Sequence, residues 1–317
     1  MPERIIAVVP AYNEQNYIKP VLEALLSARD AGLIDGILVV DDGSTDLTKD
    51  RVQEVLGKPV SEKNLEDGST QTILQHGAII THAENKGKTA AYTTAVKYCK
   101  TEAATIMFTT DADMANLTVD QIGGFLSKIH DNNDIWMIRA PYTQGDPELI
   151  ESRVCQPMHS GFRAIRMHAL EPLLSGNKKW AEYLQHGRYS WEIALEHLIP
   201  VVTHESIDPQ GLKTIGKKRR LEVPGLGLTS RERGGGTTRT SEIARDIELV
   251  EEIEEQRQGR LSDLKMVRKA RDMGVEPAAG KKGSELRDMM ETLNPDEMAN
   301  MRGEITRRIY SRMRKQT

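Results

Sequence analysis

The chain has 317 residues, of which 38% are hydrophobic and 28% charged, and its formal net charge is −4. This length allows one large domain with an extension or two domains, and the charge gives no sign of a nucleic-acid partner. Its two cysteines, Cys99 and Cys155, exclude a disulfide framework, and no run of about 18 apolar residues predicts a membrane span. We therefore expect a cytoplasmic protein.

The first half of the chain predicts alternating strands and helices. Apolar runs predict strands over residues 5–9, 37–40, 78–80, 105–109 and 135–139. Helical spacing and capping residues predict helices over residues 16–31, after Ser44 or Asp46, and over residues 88–100 and 119–130. Residues 57–72 are polar and irregular, and we expect a loop there. Alternating strands and helices indicate an α/β fold with a doubly wound, mostly parallel sheet.

Three of the predicted strands run directly into acidic and polar residues. These segments are Pro10 to Glu14, Asp41 to Asp46, and Asp111 to Asp113. Open α/β sheets bind ligands at the carboxyl ends of their strands. We therefore expect these three segments to meet at one edge of one sheet and to form the functional site.

The later part of the chain differs in composition. A helix is predicted over residues 189–198 and a strand over 200–203, and residues 216–240 are rich in Gly, Arg and Thr. Residues 1–216 carry 20 basic and 29 acidic side chains, whereas residues 217–317 carry 23 basic and 18 acidic ones. We predict a first domain over 1–216, a flexible linker over 217–240, and a charged helical extension over 241–317.

The extension ends in a predicted amphipathic helix over residues 295–314. Apolar side chains recur along it at three- and four-residue spacing, and five basic residues crowd residues 307–315 at its end. Such a helix can lie on an anionic membrane surface, pack against the first domain, or pair with a second copy of the chain. The sequence leaves peripheral membrane contact and self-association open, and packing is favoured.

Four motifs together resemble the family 2 glycosyltransferases of the GT-A fold. They are VVPAYNEQNYI from Val8, VVDDGSTD from Val39, NKGKTAA from Asn85 and DAD from Asp111. Their order and spacing match the family over roughly residues 4–210. The segment Gly161-Phe162-Arg163-Ala164 also resembles the GFRA segment of the family's polyprenyl-phosphate sugar transferases. The resemblance implies an enzyme that transfers a sugar from a nucleotide-diphospho-sugar.

The resemblance also implies a divalent cation, Mg²⁺ or Mn²⁺. The acidic first domain has to bind an anionic donor, and such hard cations bind carboxylate oxygens. Asp113 is the expected direct metal ligand, with Asp111 nearer the ribose or the water shell of the metal. His204 is a candidate third ligand, although a histidine satisfied within a loop is the more common situation.

The same resemblance places four residues around the nucleoside. Pro10 and Tyr12 follow the first strand, and Tyr12 would stack on the base. Glu14 would accept hydrogen bonds from ribose hydroxyls, and Asp42 would contact the edge of the base. Lys88, at the start of a helix, is expected to meet a phosphate with help from backbone amides.

The acceptor is predicted from Glu192 and from two arginines. Glu192 matches the position of a catalytic base in inverting members, but Ile193 follows it where the family often has Asp. A polyprenyl phosphate needs no such base, because it is already largely anionic, and Arg163 and Arg166 could hold it. A lipid phosphate is therefore the leading reading. A phosphorylated three-carbon acid, a polysaccharide, or a non-catalytic sugar-nucleotide-binding module are the alternatives.

Overall fold

The computed structural model describes residues 3–130, 132–140 and 161–176, and a few short pieces and single residues between 184 and 228. Within the predicted helix over 189–198, the described residues 191, 192, 194 and 195 are helical. The predicted strand over 200–203, His204 and the whole extension over 241–317 lie outside the described residues. The domain boundaries therefore stay predictions.

Eleven strands occur in the described residues. They are β1 Ile5–Ala11, β2 Gly36–Asp41, β3 Pro59–Asn64, β4 Thr70–Leu74, β5 Gly77–Thr81, β6 Ile106–Thr109, β7 Met137–Arg139, β8 Arg163–Arg166, β9 Ser206–Ile207, β10 Lys213–Thr214 and β11 Arg220–Glu222. Nine of them form one sheet in the order β11-β7-β8-β6-β1-β2-β5-β4-β3, and β9 pairs with β10 separately. The central strands β6, β1, β2 and β5 are parallel neighbours. This confirms the predicted α/β fold.

Helices cover both faces of the sheet. They are α1 Ile18–Asp30, α2 Thr48–Leu56, α3 Lys88–Thr101, α4 Val119–His130 and α5 Met167–Leu174. Helices α1, α2 and α4 pack on one face with alternate residues of β1 such as Ala7 and Val9. Helices α3 and α5 pack on the other face with Ile6 and Val8. Because β1 is buried on both faces, its sequence is continuously apolar.

The prediction of a loop over residues 57–72 is wrong. Strands β3 and β4 lie there as an antiparallel hairpin, and β4 also pairs with β5. All six residues of β3 are exposed, because β3 is the last strand of the sheet. Charged and polar residues are usual on such an edge strand, since they discourage pairing with another chain. The polar composition therefore reflects the position of the strand in the sheet.

The start of α2 also differs from the prediction. The helix begins at Thr48, and Leu47 occupies the N-cap position without a side-chain capping bond. The Asp46 carboxylate instead accepts a hydrogen bond from the Thr48 amide at 2.9 Å. The predicted capping group is thus present, but it acts from one residue before the N-cap.

Two features of the later chain bear on its organisation. Strand β11 lies within the predicted linker over 217–240 and pairs in parallel with β7. Gln121 of α4 donates from Nε2 to the carbonyl oxygen of Leu226 at 2.8 Å. Short parts of the predicted linker therefore contact the sheet domain. None of the helices in the described part of the chain combines the length and apolar character that a membrane span needs.

Arg166, one of the two arginines expected to hold an acceptor phosphate, is bound by other groups of the protein. Its guanidinium donates to Glu3 Oε1 at 2.6 Å and to the carbonyl oxygens of Ile135 and Ile129 at 2.9 and 2.7 Å. Only 8% of the residue is exposed. These contacts join the end of β8 to Glu3, to α4 and to the segment after α4, so Arg166 stabilises the fold.

Candidate active site

The parallel register brings the predicted strand ends together. Ala11 of β1 pairs with Asp41 of β2, and Asp41 pairs in turn with Thr81 of β5. On the other side of β1, Val8 pairs with Thr109 at the end of β6. The segments that follow β1, β2, β5 and β6 therefore leave the sheet at the same edge, as predicted.

Hydrogen bonds connect the loops after β1 and β2. Asn13 has a positive φ of 56° and accepts a hydrogen bond from the Thr45 amide through its side chain at 2.9 Å. The Asn13 amide donates to Ser44 Oγ, and the Glu14 amide donates to Thr48 Oγ1 at 2.7 Å. These bonds fix the backbone on which the predicted nucleoside contacts sit.

The three predicted nucleoside contacts at and just after the end of β1 differ in exposure. Pro10 is inside β1 and pairs with Val40 of β2. Tyr12 is 42% exposed, so its ring is accessible to a ligand, whereas Glu14 is only 6% exposed. The exposure of Tyr12 is compatible with stacking on a base. The roles assigned to all three residues stay predictions.

The adjacent carboxylates of Asp41 and Asp42 are both buried. Asp41 accepts a hydrogen bond from the Ser44 amide at 3.0 Å. Burial raises the pKa of Asp41 above its usual value, and the bonds from Ser44 only partly offset this. Asp42 accepts from the amides of Lys86 at 3.0 Å and Gly87 at 2.7 Å. Both Asp42 oxygens therefore bind the loop before α3, and its predicted contact with a base stays a prediction.

His82, which the sequence analysis did not single out, completes the environment of Asp42. Its Nδ1 lies 2.7 Å from Asp42 Oδ1 and its Nε2 lies 2.9 Å from Oγ1 of Thr94 in α3. His82 directly follows β5, just as Asp42 directly follows β2. That position at a strand end was the available signal, whereas nothing local in the sequence points to Thr94.

Lys88 connects two residues that are far apart in sequence. Its Nζ lies 2.7 Å from Asp111 Oδ1 and 2.8 Å from Glu192 Oε1. The side chains of Lys88, Asp111 and Glu192 are 13%, 10% and 2% exposed. The structure thus brings three of the predicted site residues into one buried ion-pair network. The amides of Lys86 and Gly87 are bound by Asp42, so they are not the ones that would help Lys88 to meet a phosphate.

An aromatic stack lies beside this network. The rings of Tyr92 and Trp191 stack with centroids 5.2 Å apart, and Lys88 Nζ lies 5.6 Å from the centroid of the Tyr92 ring. Burial raises the pKa of the Tyr92 hydroxyl well above its usual value. Within the described residues Glu192 Oε2 has no hydrogen-bond partner. One oxygen of Glu192 thus holds Lys88 and the other can accept a proton or a hydrogen bond.

The predicted metal ligands Asp111 and Asp113 are 7% and 3% exposed at the end of β6. Two carboxylates are a donor set that suits Mg²⁺ or Mn²⁺. In the part of the chain that the structure describes, no group of three His, Cys, Asp or Glu side chains is arranged to hold a metal ion. The remaining ligands would then come from the diphosphate of the donor and from water, as is usual for Mg²⁺. The third predicted ligand, His204, lies outside the described residues.

Gly161 makes close contact with Asp111. A Cβ atom at Gly161 would lie 2.4 Å from Asp111 Oδ1 and 2.5 Å from Asp111 Oδ2. The Gly161 carbonyl oxygen accepts a hydrogen bond from Thr109 Oγ1 at 2.6 Å. A residue without a side chain is therefore needed to let β8 approach the strand end that carries Asp111.

Arg163, predicted to hold an acceptor phosphate, is fully buried at the start of β8. It lies between Thr109 of β6 and Arg139 of β7 in the register of the sheet. Because side chains alternate along β8, Arg163 lies on the same face as Ile165, which packs with α3 and Trp191. Two arginines thus occupy neighbouring positions on the side of the sheet that carries Lys88. The phosphate contact of Arg163 stays a prediction.

Comparisons with known proteins agree with this fold. The model of glycosyl transferase family 2 matches residues 6–176, which is more than half of the chain. No curated protein sequence matches the chain. Solved structures of glucosyl-3-phosphoglycerate synthase from Mycobacterium tuberculosis do match it.

The complex of that enzyme with phosphoglyceric acid is 16% identical, with a TM-score of 0.50, and the match covers 81% of this chain and 80% of that chain. The complex with Mn²⁺, UDP and phosphoglyceric acid is 18% identical, with a TM-score of 0.50 and coverages of 79% and 77%. The complex with Mn²⁺, UDP-glucose and phosphoglyceric acid is 19% identical, with a TM-score of 0.40. In that match the chain spans 58% of the solved chain, and 53% of this chain is covered. At these identities the likeness shows the fold alone.

The close approach of Gly161 to Asp111 gives a first prediction. Gly161→Ala should lower the free energy of unfolding by about 1–3 kcal/mol, the usual cost of overpacking, because the added methyl group must displace the Asp111 carboxylate. Gly124→Ala is the matched control, since Gly124 lies exposed in α4 with nothing within 4 Å of the added Cβ. The control should be neutral or more stable by up to about 1 kcal/mol. Urea unfolding of both variants measures this, and equal stability in Gly161→Ala and wild type would contradict the packing described.

Proposed function

The chain belongs to glycosyl transferase family 2, and on that premise we propose that it transfers a sugar from a nucleotide-diphosphate donor to a soluble phosphorylated acceptor. The observation that carries the proposal is the contact of Lys88 with both Asp111 and Glu192. It places a cation, a candidate metal-binding carboxylate and a candidate base within one network at the sheet edge. Metal-assisted transfer of a sugar to a hydroxyl group uses these three kinds of group.

The donor would lie along the carboxyl ends of the central strands. Tyr12 is exposed just after β1 and would stack on the base, and Glu14 and Asp42 would lie close to the nucleoside. Lys88 would bind the diphosphate, because a phosphate group beside Asp111 would be a further negatively charged partner for the Lys88 ammonium group. Asp113 and Asp111 would hold Mg²⁺ or Mn²⁺, and the ion would neutralise the charge that grows on the leaving diphosphate.

The acceptor hydroxyl would be activated by Glu192. Its Oε2 would take the hydroxyl proton while the acceptor oxygen forms a bond to the anomeric carbon of the sugar. The bond from that carbon to the phosphate oxygen breaks, and its electron pair leaves with the diphosphate. The pair of neighbouring arginines, Arg163 and Arg139, would add positive charge that favours an anionic acceptor.

A soluble acceptor replaces the lipid phosphate as the leading reading. The solved structures of similar fold contain phosphoglyceric acid, which makes a phosphorylated three-carbon acid the first acceptor to test. A polyprenyl phosphate remains the second candidate, on the strength of the Gly161-Phe162-Arg163-Ala164 segment. Membrane contact and self-association through residues 295–314 stay predictions, since those residues lie outside the described part of the chain.

The donor part of the proposal is tested with Asp113→Asn, which keeps the shape of the side chain and removes its charge. We expect at least about a 100-fold loss of affinity for the nucleoside diphosphate in the presence of Mn²⁺, because a metal ligand is lost. Calorimetry with UDP, GDP, ADP and dTDP first finds the one that binds wild type. Asp120→Asn, an exposed change in α4, is the control and should bind like wild type. Unchanged Mn²⁺-dependent binding in Asp113→Asn would refute the metal assignment.

The acceptor part is tested with Glu192→Gln. The Gln side chain can still accept a hydrogen bond from Lys88, but it cannot take a proton. For a hydroxyl acceptor, turnover should fall by at least about 100-fold with donor binding intact, the usual scale of general-base catalysis. Glu171→Gln, whose side chain is 57% exposed, serves as the control. A small loss of turnover in Glu192→Gln would instead favour a phosphate acceptor, which needs no base.

A further inference from the structure

We propose that His82 is a positioning residue of the donor site, which fixes Asp42 and through it the loop that carries Lys88. This inference rests on the proposed function for its ligand, a nucleoside diphosphate. The contact of His82 with Asp42 and Thr94 is itself independent of any ligand.

The hydrogen-bond pattern determines how His82 acts. Both oxygens of Asp42 accept bonds, from the Lys86 amide at Oδ1 and from the Gly87 amide at Oδ2. Since the carboxylate acts as an acceptor throughout, Nδ1 of His82 donates to it. The other ring nitrogen pairs with Thr94 in the second turn of α3. One imidazole therefore links the end of β2 to the body of α3.

Burial makes this link rigid. His82 is 2% exposed and Asp42 is 3% exposed. In a site of low dielectric, a hydrogen bond to a buried carboxylate is strong, and its loss leaves the charged group poorly satisfied. Without the His82 bond, Asp42 would be free to turn away from the two amides it holds.

The same loop also packs closely against Gly43, which follows β2. A Cβ atom at Gly43 would lie 2.5 Å from the carbonyl carbon of Glu84 and 2.8 Å from the amide nitrogen of Asn85. The loop from His82 to Gly87 is thus held by Gly43 at its middle and by Asp42 at its end. Lys88 is the next residue, so the position of its ammonium beside Asp111 depends on this anchoring.

Two substitutions of His82 distinguish the bond that Nδ1 makes to Asp42 from the bond that Nε2 makes to Thr94. Asn places its side-chain nitrogen where Nδ1 of His lies, and so can keep the bond to Asp42. Gln places its nitrogen near the position of Nε2, and so can keep only the bond to Thr94. If His82 acts through Asp42, His82→Asn should be close to wild type, and His82→Gln should resemble His82→Ala.

The first measurement needs no ligand. Native-state hydrogen exchange, followed by NMR, reports the protection of the Lys86 and Gly87 amides in the full-length protein. In His82→Ala these two amides should exchange at least about tenfold faster, while core amides of β1 change much less. His82→Asn should restore the protection. Unchanged protection of both amides in His82→Ala overturns the proposal, whatever the ligand of the site.

The second measurement uses the nucleoside diphosphate that binds wild type among UDP, GDP, ADP and dTDP with Mn²⁺. Its affinity should fall about ten- to a hundredfold in His82→Ala and His82→Gln, and should recover in His82→Asn. In a transfer assay, KM for the donor should rise more than kcat falls. His76→Asn, at an exposed histidine in the turn between β4 and β5, is the control and should leave affinity unchanged.

The outcomes distinguish this inference from the proposed function. Faster exchange with unchanged nucleotide affinity overturns the positioning role and leaves His82 a stabilising residue. If wild type binds none of the four nucleotides, the proposed donor function fails. In that case the role of His82 at a donor site fails with it, even where exchange is faster. Rescue by His82→Asn in both measurements supports the proposal.

Discussion

The structure depends on the neutralisation of buried carboxylates at one edge of the sheet. Six of them are at most 7% exposed: Glu14, Asp41, Asp42, Asp111, Asp113 and Glu192. Negative charges repel one another more strongly where water is excluded, and buried carboxylates need hydrogen-bond donors from the protein. Lys88 contacts two of these carboxylates, and loss of one partner from such a buried pair typically costs about 3–5 kcal/mol. The same charges make the edge a suitable place for a cation and an anionic donor.

The central sheet could be predicted because its information is local. The apolar run of β1 is buried on both faces, and each acidic segment lies at the carboxyl end of its strand. The prediction failed for β3, whose six exposed residues look like a loop because an edge strand has a polar composition. It also treated Arg166 as a ligand-binding residue, although Glu3 and two distant carbonyl groups hold it. Contacts of this kind join residues more than 30 positions apart and leave no pattern in the sequence.

The candidate site was predictable in its residue types and less so in its connections. The aspartates at the carboxyl ends of β2 and β6 were expected at the sheet edge and lie there. Asp42 binds the amides of Lys86 and Gly87, and Lys88 contacts Glu192. These contacts depend on how α3 packs on the face of the sheet. His82 illustrates the difference, because its position after β5 was visible, whereas its partner Thr94 depends on how α3 packs. Residues that stabilise the fold and also belong to the site are therefore the ones whose roles are hardest to assign from sequence.

The central claim is that this edge of the sheet binds a nucleotide-diphosphate donor together with a divalent cation. Thermal unfolding of the full-length protein with UDP-, GDP-, ADP- and dTDP-glucose, each with Mn²⁺ or with EDTA, tests it most directly. A ligand that binds the native state stabilises it by about 2.7 kcal/mol at 100 times its Kd, which raises Tm by a measurable amount. At least one nucleotide-sugar should raise Tm with Mn²⁺, and EDTA should abolish the shift. No shift with any of the four, or an equal shift in EDTA, would contradict it.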